Sequence, residues 1–315
     1  MESANLANNK FSLSLVIPVY DEEHNIRELH GRLTKVMSGL SVPYQIIFID
    51  DGSKDCSFEM LKDLHGKDRR VEVIKFSRNF GHHIAITAGL DYAQGDAVII
   101  MDGDLQDPPE EIPKLYEKFK EGYDIVYAIR ATREDPFHRK TLSLFFYKLF
   151  KTFARVDIPA SSGIFMIITR RVAETLRNCR EKSRFISALI SWTGFSSAEV
   201  ETKRRARHAG KTKYNLRKLI QLALHGVTSF SYFPLRLATY LGFFTATLSF
   251  IAGIYIIIQK LFFGFPILGY ASIIVSIFFI GGIQLLILGM MGEYIGRVYT
   301  ESQGRPLYIL EEVLK

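Results

Sequence analysis

Two acidic residues separated by one position follow a short apolar stretch in the first half of the chain. Asp102 and Asp104 come directly after residues 97–101, an apolar run that predicts a buried strand. Carboxylates at this spacing beyond a strand end can both face one cation, and hard oxygen ligands suit Mg²⁺ or Mn²⁺ bridging a diphosphate. A metal there would neutralise the charge that develops on a departing diphosphate. Because an isolated acidic pair is more often a solvated turn, the surrounding motifs must decide between the two.

Two further polar motifs also come at the ends of apolar runs, at residues 18–23 and 50–53. Ligands of parallel α/β sheets bind beyond the carboxyl ends of the strands, so all three motifs are expected at one edge of a sheet. Simpler interpretations remain open for single residues. Asp50 or Asp51 could cap the following helix, and Pro18 could simply end its strand.

Strands and helices alternate through the first half of the chain. Apolar runs predict strands at residues 13–19, 44–49, 71–76, 97–101 and 124–128, and helical spacing predicts helices at residues 26–40, 57–64, 83–93 and 110–121. Strands without strict alternation, separated by helices, indicate a mostly parallel sheet that is covered on both faces. The predicted fold class is therefore α/β.

The last third of the chain contains two long uncharged stretches, residues 237–259 and 261–292, with turn-forming glycine and proline at residues 264–269. About 20 helical residues cross the hydrocarbon layer of a bilayer, so two transmembrane helices are predicted at about 237–259 and 269–292. The alternative is a pair of buried helices in a soluble protein.

Positive charge lies at both ends of this hairpin. The formal net charge is +7, and residues 203–218 hold eight Lys or Arg residues before the first span. Such a run suits nucleic acid, anionic lipid or a phosphorylated ligand. Beside a membrane span it also indicates a cytoplasmic loop. Because Arg236 precedes the hairpin and Arg297 and Arg305 follow it, both ends are predicted to be cytoplasmic.

These patterns divide the chain into successive regions. The prediction is a flexible N-terminus at residues 1–10, a cytoplasmic α/β domain at 11–212, juxtamembrane amphipathic helices at 213–234, the transmembrane hairpin at 235–292 and a cytoplasmic tail at 293–315. The first ten residues lack the apolar stretch of a signal peptide. Motifs of other enzyme classes are missing: no Gly-x-Gly-x-x-Gly follows the first strand, which disfavours a dinucleotide-dependent oxidoreductase, and no Gly-x-Ser-x-Gly occurs.

The three strand-end motifs, in this order, resemble those of the family 2 glycosyltransferases. Residues 78–81 (Arg-Asn-Phe-Gly), Gly89, residues 102–109 (Asp-Gly-Asp-Leu-Gln-Asp-Pro-Pro) and the terminal hairpin are similar to the polyprenyl-phosphate glycosyltransferases, relatives of dolichyl-phosphate mannose synthase. The resemblance covers nearly all of residues 11–310. It implies a nucleotide-binding domain of the glycosyltransferase-A type, followed by interfacial helices and a C-terminal transmembrane hairpin.

The resemblance also implies an activity. The expected reaction is an inverting transfer of a sugar from a nucleotide diphosphate sugar, UDP-linked by similarity to bacterial members, to a polyprenyl phosphate such as undecaprenyl phosphate. The product would serve the modification of a cell-envelope glycan. The expected partners are the nucleotide sugar donor, the polyprenyl phosphate acceptor and the bilayer of the inner (plasma) membrane, but no nucleic acid. A homo-oligomer is expected, a tetramer by resemblance.

Site residues can be carried over by matching motifs. The nucleotide-binding residues implied are Pro18, Tyr20, Glu22, Asp50 or Asp51, and Asp102. The resemblance implies that Asp104 and Gln106, with Asp102 beside them, hold Mg²⁺ or Mn²⁺. Donor and acceptor phosphates would be bound by three basic residues, Arg130, Arg207 and Lys213, since guanidinium groups bind phosphate bidentately. His82 and His83 begin a helix and could touch the donor phosphate, but partly exposed histidines of this kind are more often structural.

One position departs from the family pattern. Close relatives read Gly-Asp-Phe-Arg-Leu where this chain reads Gly-Ile-Phe-Met-Ile at residues 163–167, so Ile164 replaces an aspartate proposed there as a base. An alkyl phosphate with a second pKa of ~6 is mostly ionised at neutral pH, so its oxygen needs no base. Asp157 lies nearby in the sequence and could substitute.

Two other functions fit parts of the sequence. A processive polysaccharide synthase of the same broad family would carry a Gln-x-x-Arg-Trp motif, which the single tryptophan, Trp192, does not provide. A catalytically silent subunit that binds a partner or lipid would fit Ile164, but the intact acidic and basic motifs argue against it.

Overall fold

The computed structural model describes residues 11–130, 162–182, 184–203, 233–263 and 269–315. The chain forms two compact units, Met1–Tyr214 with Arg305–Lys315, and Asn215–Gly304. Several predictions lie outside the described residues: the flexible first ten residues, the juxtamembrane helices as far as residue 232, and the side chains of Arg207, Lys213 and Asp157. Of Arg130, only the backbone is described.

Eight strands form one sheet in the spatial order β7-β5-β6-β4-β1-β2-β3-β8. The strands are β1 (Leu13–Val19), β2 (Tyr44–Asp50), β3 (Val71–Phe76), β4 (Ala97–Ile100), β5 (Ile125–Arg130), β6 (Ser162–Thr169), β7 (Ser197–Thr202) and β8 (Leu310–Leu314). Strand β1 pairs in parallel with β2 and β4, β2 with β3, and β5 with β7. The pairs β4–β6, β5–β6 and β3–β8 are antiparallel. The predicted mostly parallel α/β sheet is confirmed.

Helices cover this sheet and follow it in the chain. They are α1 (Ile26–Leu40), α2 (Ser57–Lys67), α3 (His82–Tyr92), α4 (Ile112–Phe119), α5 (Arg170–Asn178), α6 (Ile186–Trp192), α7 (Phe233–Phe263) and α8 (Tyr270–Ser302). Every residue of β1 is buried, as expected for a central strand covered on both faces. Helix α1 buries the stripe Ile26, Leu29, Leu33 and Met37, whose helical spacing places these side chains on one face.

Helix α3 packs directly on the sheet because Gly89 has no side chain. A Cβ atom at this position would lie 2.3 Å from Cγ1 of Val16 and 2.8 Å from Cδ1 of Ile49. Those distances are far below a van der Waals contact. The close approach of Gly89 fixes the helix against β1 and β2, and it therefore fixes the position of the start of α3 at the carboxyl edge of the sheet.

The second unit contains the two long helices α7 and α8. Each contains a stretch long and apolar enough to cross a membrane, Ala238–Tyr255 and Ser276–Ser302. Of the described residues in these stretches only Ala238 is buried, unlike the core helices of a soluble protein. The predicted helical hairpin is confirmed, but its first helix begins at Phe233 and its second continues to Ser302, beyond the predicted ends.

Strand β8 was not predicted. The sequence indicated only a tail after residue 292, but Leu310–Leu314 pairs with β3 and extends the sheet of the first unit. The chain thus returns to the sheet of the first unit after the two long helices.

Candidate active site

A cleft of about 430 Å³ lies at the carboxyl edge of the sheet. Its walls come from the segments that follow four neighbouring strands, β1 to β4. The lining residues are Pro18, Val19, Tyr20, Glu22, Asp51, Asn79, Gly81, His82, Asp102, Gly103 and Asp104. The three motifs singled out in the sequence therefore meet in one place, together with residues 79–82, as the parallel topology requires.

Hydrogen bonds tie the loop after β1 to the loop after β2. The hydroxyl of Ser53 accepts from the backbone N–H of Asp21 at 3.0 Å, while the Asp21 carboxylate accepts from the N–H of Lys54 at 2.8 Å. The Ser57 hydroxyl accepts from the N–H of Glu22 at 2.9 Å. Asp21 is held in the left-handed region at φ 55°. These bonds fix the wall that carries Tyr20, a residue that is 40% exposed.

The neighbouring residues Asp50 and Asp51 have different environments. Asp51 faces the cleft, and its carboxylate accepts from the backbone N–H groups of Phe80 at 2.7 Å and Gly81 at 2.9 Å. Asp50 is fully buried at the end of β2 and accepts from the N–H of Ser53 at 3.0 Å. Burial raises the pKa of both carboxyl groups, and the hydrogen bonds to each oppose that shift.

Neither aspartate caps the next helix, because the N-cap of α2 is Cys56 and no side chain accepts a capping bond there. Among the described residues, Asp51 rather than Asp50 lines the cleft. Pro18 lies inside β1, paired with Ile49, and does not end the strand. The structure therefore does not show the strand-ending and capping roles considered for these residues, and it places both Pro18 and Asp51 at the cleft.

Gly52 lets the loop after β2 approach the loop after β3. Its φ is +68°, in the region that favours glycine, and a Cβ atom would lie 2.5 Å from the carbonyl carbon of Arg78. Any other residue would push the two loops apart. The contacts of Asp51 with Phe80 and Gly81 depend on this close approach.

Asp102 and Asp104 form the acidic end of the cleft. Oδ1 of Asp102 lies 2.7 Å from Nε2 of His82, the first residue of α3. Since an ionised carboxylate can only accept, His82 donates from Nε2. Burial lowers the pKa of His82, and the charge of Asp104 opposes this shift. Between the acidic pair and the following turn, Leu105 has φ +58°, an uncommon conformation for a residue with a side chain.

Gln106, the third implied metal ligand, is not among the residues that line the cleft. Its backbone N–H donates to Oδ1 of Asp104 at 3.1 Å, which orients that carboxylate. No group of three His, Cys, Asp or Glu side chains converges on one position anywhere in the described ranges. Two carboxylates at an open cleft nevertheless fit Mg²⁺ or Mn²⁺, because these ions keep several ligands from water and from bound phosphate.

The remaining predicted residues are only partly placed. The backbone of Arg130 ends β5, and Ile164 is a half-buried residue of β6. The sequence favoured a structural role for His82, but the structure places His82 in the lining of the cleft. His82 directly follows residues 78–81, one of the segments that carry the family resemblance, and this position is the signal that could have indicated its place at the cleft. His83 instead packs edge-on against Phe185, with ring centroids 5.2 Å apart, and burial lowers its pKa to about 4.

The sequence matches two known families and several known proteins. Residues 14–177 match the family described as Glycosyl transferase family 2, and residues 233–298 match the GtrB C-terminal hairpin. Over 300 residues the chain is 46% identical to the uncharacterized glycosyltransferase YkcC of Bacillus subtilis, covering 95% of this chain and 93% of that protein.

Two further relatives carry functional names. The bactoprenol glucosyl transferase of Shigella phage SfV is 44% identical over 301 residues, covering 95% of this chain and 98% of its own. The prophage bactoprenol glucosyl transferase homolog of Escherichia coli K12 is 43% identical over 305 residues, covering 96% and 99%. The matched family and these relatives define the protein as a glycosyltransferase. The chain belongs to glycosyltransferase family 2.

Proposed function

We propose that this glycosyltransferase moves a sugar from a UDP-linked donor to a polyprenyl phosphate such as undecaprenyl phosphate, with inversion at the anomeric carbon. The observation that carries the proposal is the single cleft in which Asp51 and the pair Asp102 and Asp104 lie together at the carboxyl edge of the sheet. The similarity to bactoprenol glucosyl transferases over nearly the whole chain supports the acceptor class. The product is a polyprenyl-phosphate-linked monosaccharide for the modification of a cell-envelope glycan.

The residues of the cleft divide between the two halves of the donor. Tyr20 offers an aromatic face on which the base can stack. Glu22 and Asp51 offer carboxylates that can accept hydrogen bonds from N–H groups of the base or hydroxyl groups of the ribose. Asp102 and Asp104, with Gln106 beside them, are the proposed ligands of Mg²⁺ or Mn²⁺. When bound, the ion supplies charge neutralisation for the departing nucleotide diphosphate.

In the transfer itself, an oxygen of the acceptor phosphate bonds to the anomeric carbon while the bond from that carbon to the donor diphosphate breaks. The nucleophile is already ionised at neutral pH, since the second pKa of an alkyl phosphate is ~6. Ile164 is compatible with this reaction because no proton has to be removed. Arg130, Arg207 and Lys213 are proposed to bind the phosphates and to reduce the repulsion between two anions.

The membrane arrangement is part of the proposal. Helices α7 and α8 cross the inner membrane as a hairpin, with the catalytic domain and both ends of the hairpin on the cytoplasmic side. Support comes from connectivity: the chain enters α7 after the catalytic domain and returns to its sheet as β8 after α8. Gly281, Gly282, Gly289 and Gly292 provide small surfaces for helix packing, which supports a homo-oligomer, proposed to be a tetramer.

The test is a transfer assay with purified full-length protein, UDP-[¹⁴C]glucose and undecaprenyl phosphate in detergent, followed by mass spectrometry with other nucleotide sugars. We expect a lipid-linked sugar that disappears with EDTA and with Asp104→Ala. Asp63→Ala is the matched control, because Asp63 pairs with Lys67 on the exposed face of α2. Transfer that persisted in EDTA would refute the metal role, and no transfer from any donor would favour the silent-subunit interpretation.

A further inference from the structure

The segment of residues 305–315, called here the return segment, is attached along the outer edge of β3. Its strand β8 pairs antiparallel with β3, with Val73 opposite Leu314 and Phe76 opposite Leu310. The backbone N–H of Ser77 donates to the carbonyl of Ile309 at 3.0 Å, which continues the ladder past the end of β3. The pairing therefore reaches the point where β3 turns into the loop that lines the cleft.

Tyr308 is the residue of the return segment that inserts its ring between elements of the catalytic domain. The ring stacks on Phe76, with centroids 5.0 Å apart and planes at 15°. The Tyr308 hydroxyl donates to Oδ2 of Asp91 at 2.8 Å, and Arg180 donates to both oxygens of the same carboxylate at 2.8 and 2.9 Å. Burial raises the pKa of Tyr308, so its hydroxyl remains a donor at neutral pH. Both ends of the side chain are thus held.

The contacts continue from Phe76 to the cleft. Phe76 packs edge-on against Phe80, with centroids 5.7 Å apart and planes at 87°. The guanidinium of Arg78 lies 4.1 Å from the centre of the Phe80 ring. The backbone N–H of Phe80 donates to Asp51 at 2.7 Å, and Asp51 lines the cleft. Two aromatic contacts and one hydrogen bond therefore join Tyr308 to Asp51.

We infer that Tyr308 is a positioning residue for the donor nucleotide: through Phe76 and Phe80 it fixes the loop of residues 78–81 and thereby the carboxylate of Asp51. The inference rests on the proposed function, in which this cleft binds the nucleotide. Tyr308 itself does not line the cleft. Its effect is therefore on the affinity for the donor, and the rate of the chemical step depends on it little.

An ion pair also attaches the return segment, at a place away from the aromatic stack. Glu312 pairs with Lys62 of α2 at 2.9 Å, on a surface where both side chains are at least 38% exposed. Loss of this pair weakens attachment of the segment but leaves the rings of Tyr308, Phe76 and Phe80 in place. Glu312→Gln is therefore the matched control that separates general attachment from positioning.

The experiment compares full-length wild type, Tyr308→Leu, Tyr308→Phe and Glu312→Gln. Binding of UDP in the presence of Mn²⁺ is measured by calorimetry, KM and kcat with UDP-glucose are measured by transfer, and thermal unfolding confirms that each protein is folded. We expect Tyr308→Leu to weaken UDP binding by about fivefold and to raise KM by a similar factor, with kcat within about twofold of wild type. Tyr308→Phe keeps the stack and restores most of the affinity, and Glu312→Gln binds UDP as wild type does.

The possible outcomes distinguish the two proposals. If wild type binds UDP and a folded Tyr308→Leu binds it equally well, the inference is wrong while the proposed function stands. Equal weakening by Glu312→Gln would also overturn it, because attachment alone would then explain the effect. If wild type binds no UDP, the proposed function fails and the inference fails with it. Tyr308→Met, whose unbranched and flexible side chain is apolar and has no ring, replaces Tyr308→Leu if that variant does not fold.

Discussion

The imidazole of His82 donates a hydrogen bond to the carboxylate of Asp102 at the start of helix α3, with 2.7 Å between Nε2 and Oδ1. One carboxylate of the acidic pair is thereby oriented by an imidazole from a different segment of the chain. Outer hydrogen bonds of this kind hold metal-ligating carboxylates in position.

Replacing His82 should therefore weaken metal binding. In the presence of UDP, we expect His82→Ala to raise the Mn²⁺ concentration needed for half-saturation of the metal site by about tenfold, because Asp102 loses its orienting partner. Electron paramagnetic resonance of free Mn²⁺ measures this without requiring turnover. His24→Ala is the control, since the side chain of His24 is 86% exposed. Unchanged Mn²⁺ affinity in His82→Ala would show that the hydrogen bond has no role in metal binding.

Asp51 and Asp50 should differ sharply when each is changed to asparagine. In Asp51→Asn the amide NH₂ would face one of the N–H groups of Phe80 and Gly81, so we expect the KM for the donor to rise by at least about tenfold. Asp50→Asn can still accept from Ser53, and we expect a near-normal KM. Steady-state kinetics with varied UDP-glucose separates the two. Equal effects of the two variants would contradict the separation of roles.

Asp50 should also make the stability of the folded protein depend on pH. Because burial raises its pKa in the folded state, ionisation of Asp50 opposes folding, so its contribution to stability is lost as the pH rises through that raised pKa. Asp50→Asn lacks this titration. We expect the difference in unfolding temperature between wild type and Asp50→Asn to shift in favour of the variant from pH 4 to pH 7. A difference that stays constant over this range would contradict the assignment.

Gly52→Ala should destabilise the catalytic domain. The new Cβ would lie 2.5 Å from the carbonyl carbon of Arg78, and the φ of +68° is unfavourable for alanine. We expect a loss of about 3 kcal/mol or more in the free energy of unfolding. Gly31→Ala is the matched control: it lies in α1 with no atom within 4 Å of the added Cβ, and it should stabilise by up to about 1 kcal/mol. Denaturant unfolding measures both, and similar values for the two would refute the close approach.

Asp68 should contribute stability that is lost in acid. Hydrogen bonds from Arg70, at 2.8 and 2.9 Å, and one from His30, at 3.2 Å, lower its pKa to about 2 from an ordinary value of 3.8. The contribution is therefore complete above pH 3.8 and disappears as the pH falls toward 2. We expect Asp68→Asn to lower the unfolding temperature by about 3 °C at pH 7, with the difference shrinking through that window. The exposed Asp63→Asn should have little effect, and a pH-independent loss in Asp68→Asn would contradict the titration.

Much of the fold could be predicted because the central strands are buried on both faces. Such strands read as uninterrupted apolar runs, and β3 was predicted with the bounds that the structure gives, residues 71–76. The meeting of the polar motifs followed from parallel topology alone, since neighbouring strands end at the same edge. Predicting that each motif lies at this edge required no knowledge of any side-chain contact.

Features that depend on single residues or distant pairing could not be predicted. Strand β8 has two adjacent glutamates in five residues and no apolar run, and its pair Lys75–Glu311 joins positions 236 residues apart. Spacing likewise could not distinguish Asp50 from Asp51. That difference arises at the turn where Gly52 adopts its positive φ, and it depends on the loop after β3 coming close enough to donate to Asp51.

Strand β8 also determines an order of events during biosynthesis. The ribosome makes β3 long before β8, and both long helices are made between them. Until β8 emerges, one edge of β3 has no partner among the described strands, and exposed strand edges promote aggregation. The aromatic stack of Tyr308 on Phe76 can form only at the same late stage. If this stack positions the cleft as we infer, a nascent chain halted before the hairpin would lack the contact that fixes the loop of residues 78–81.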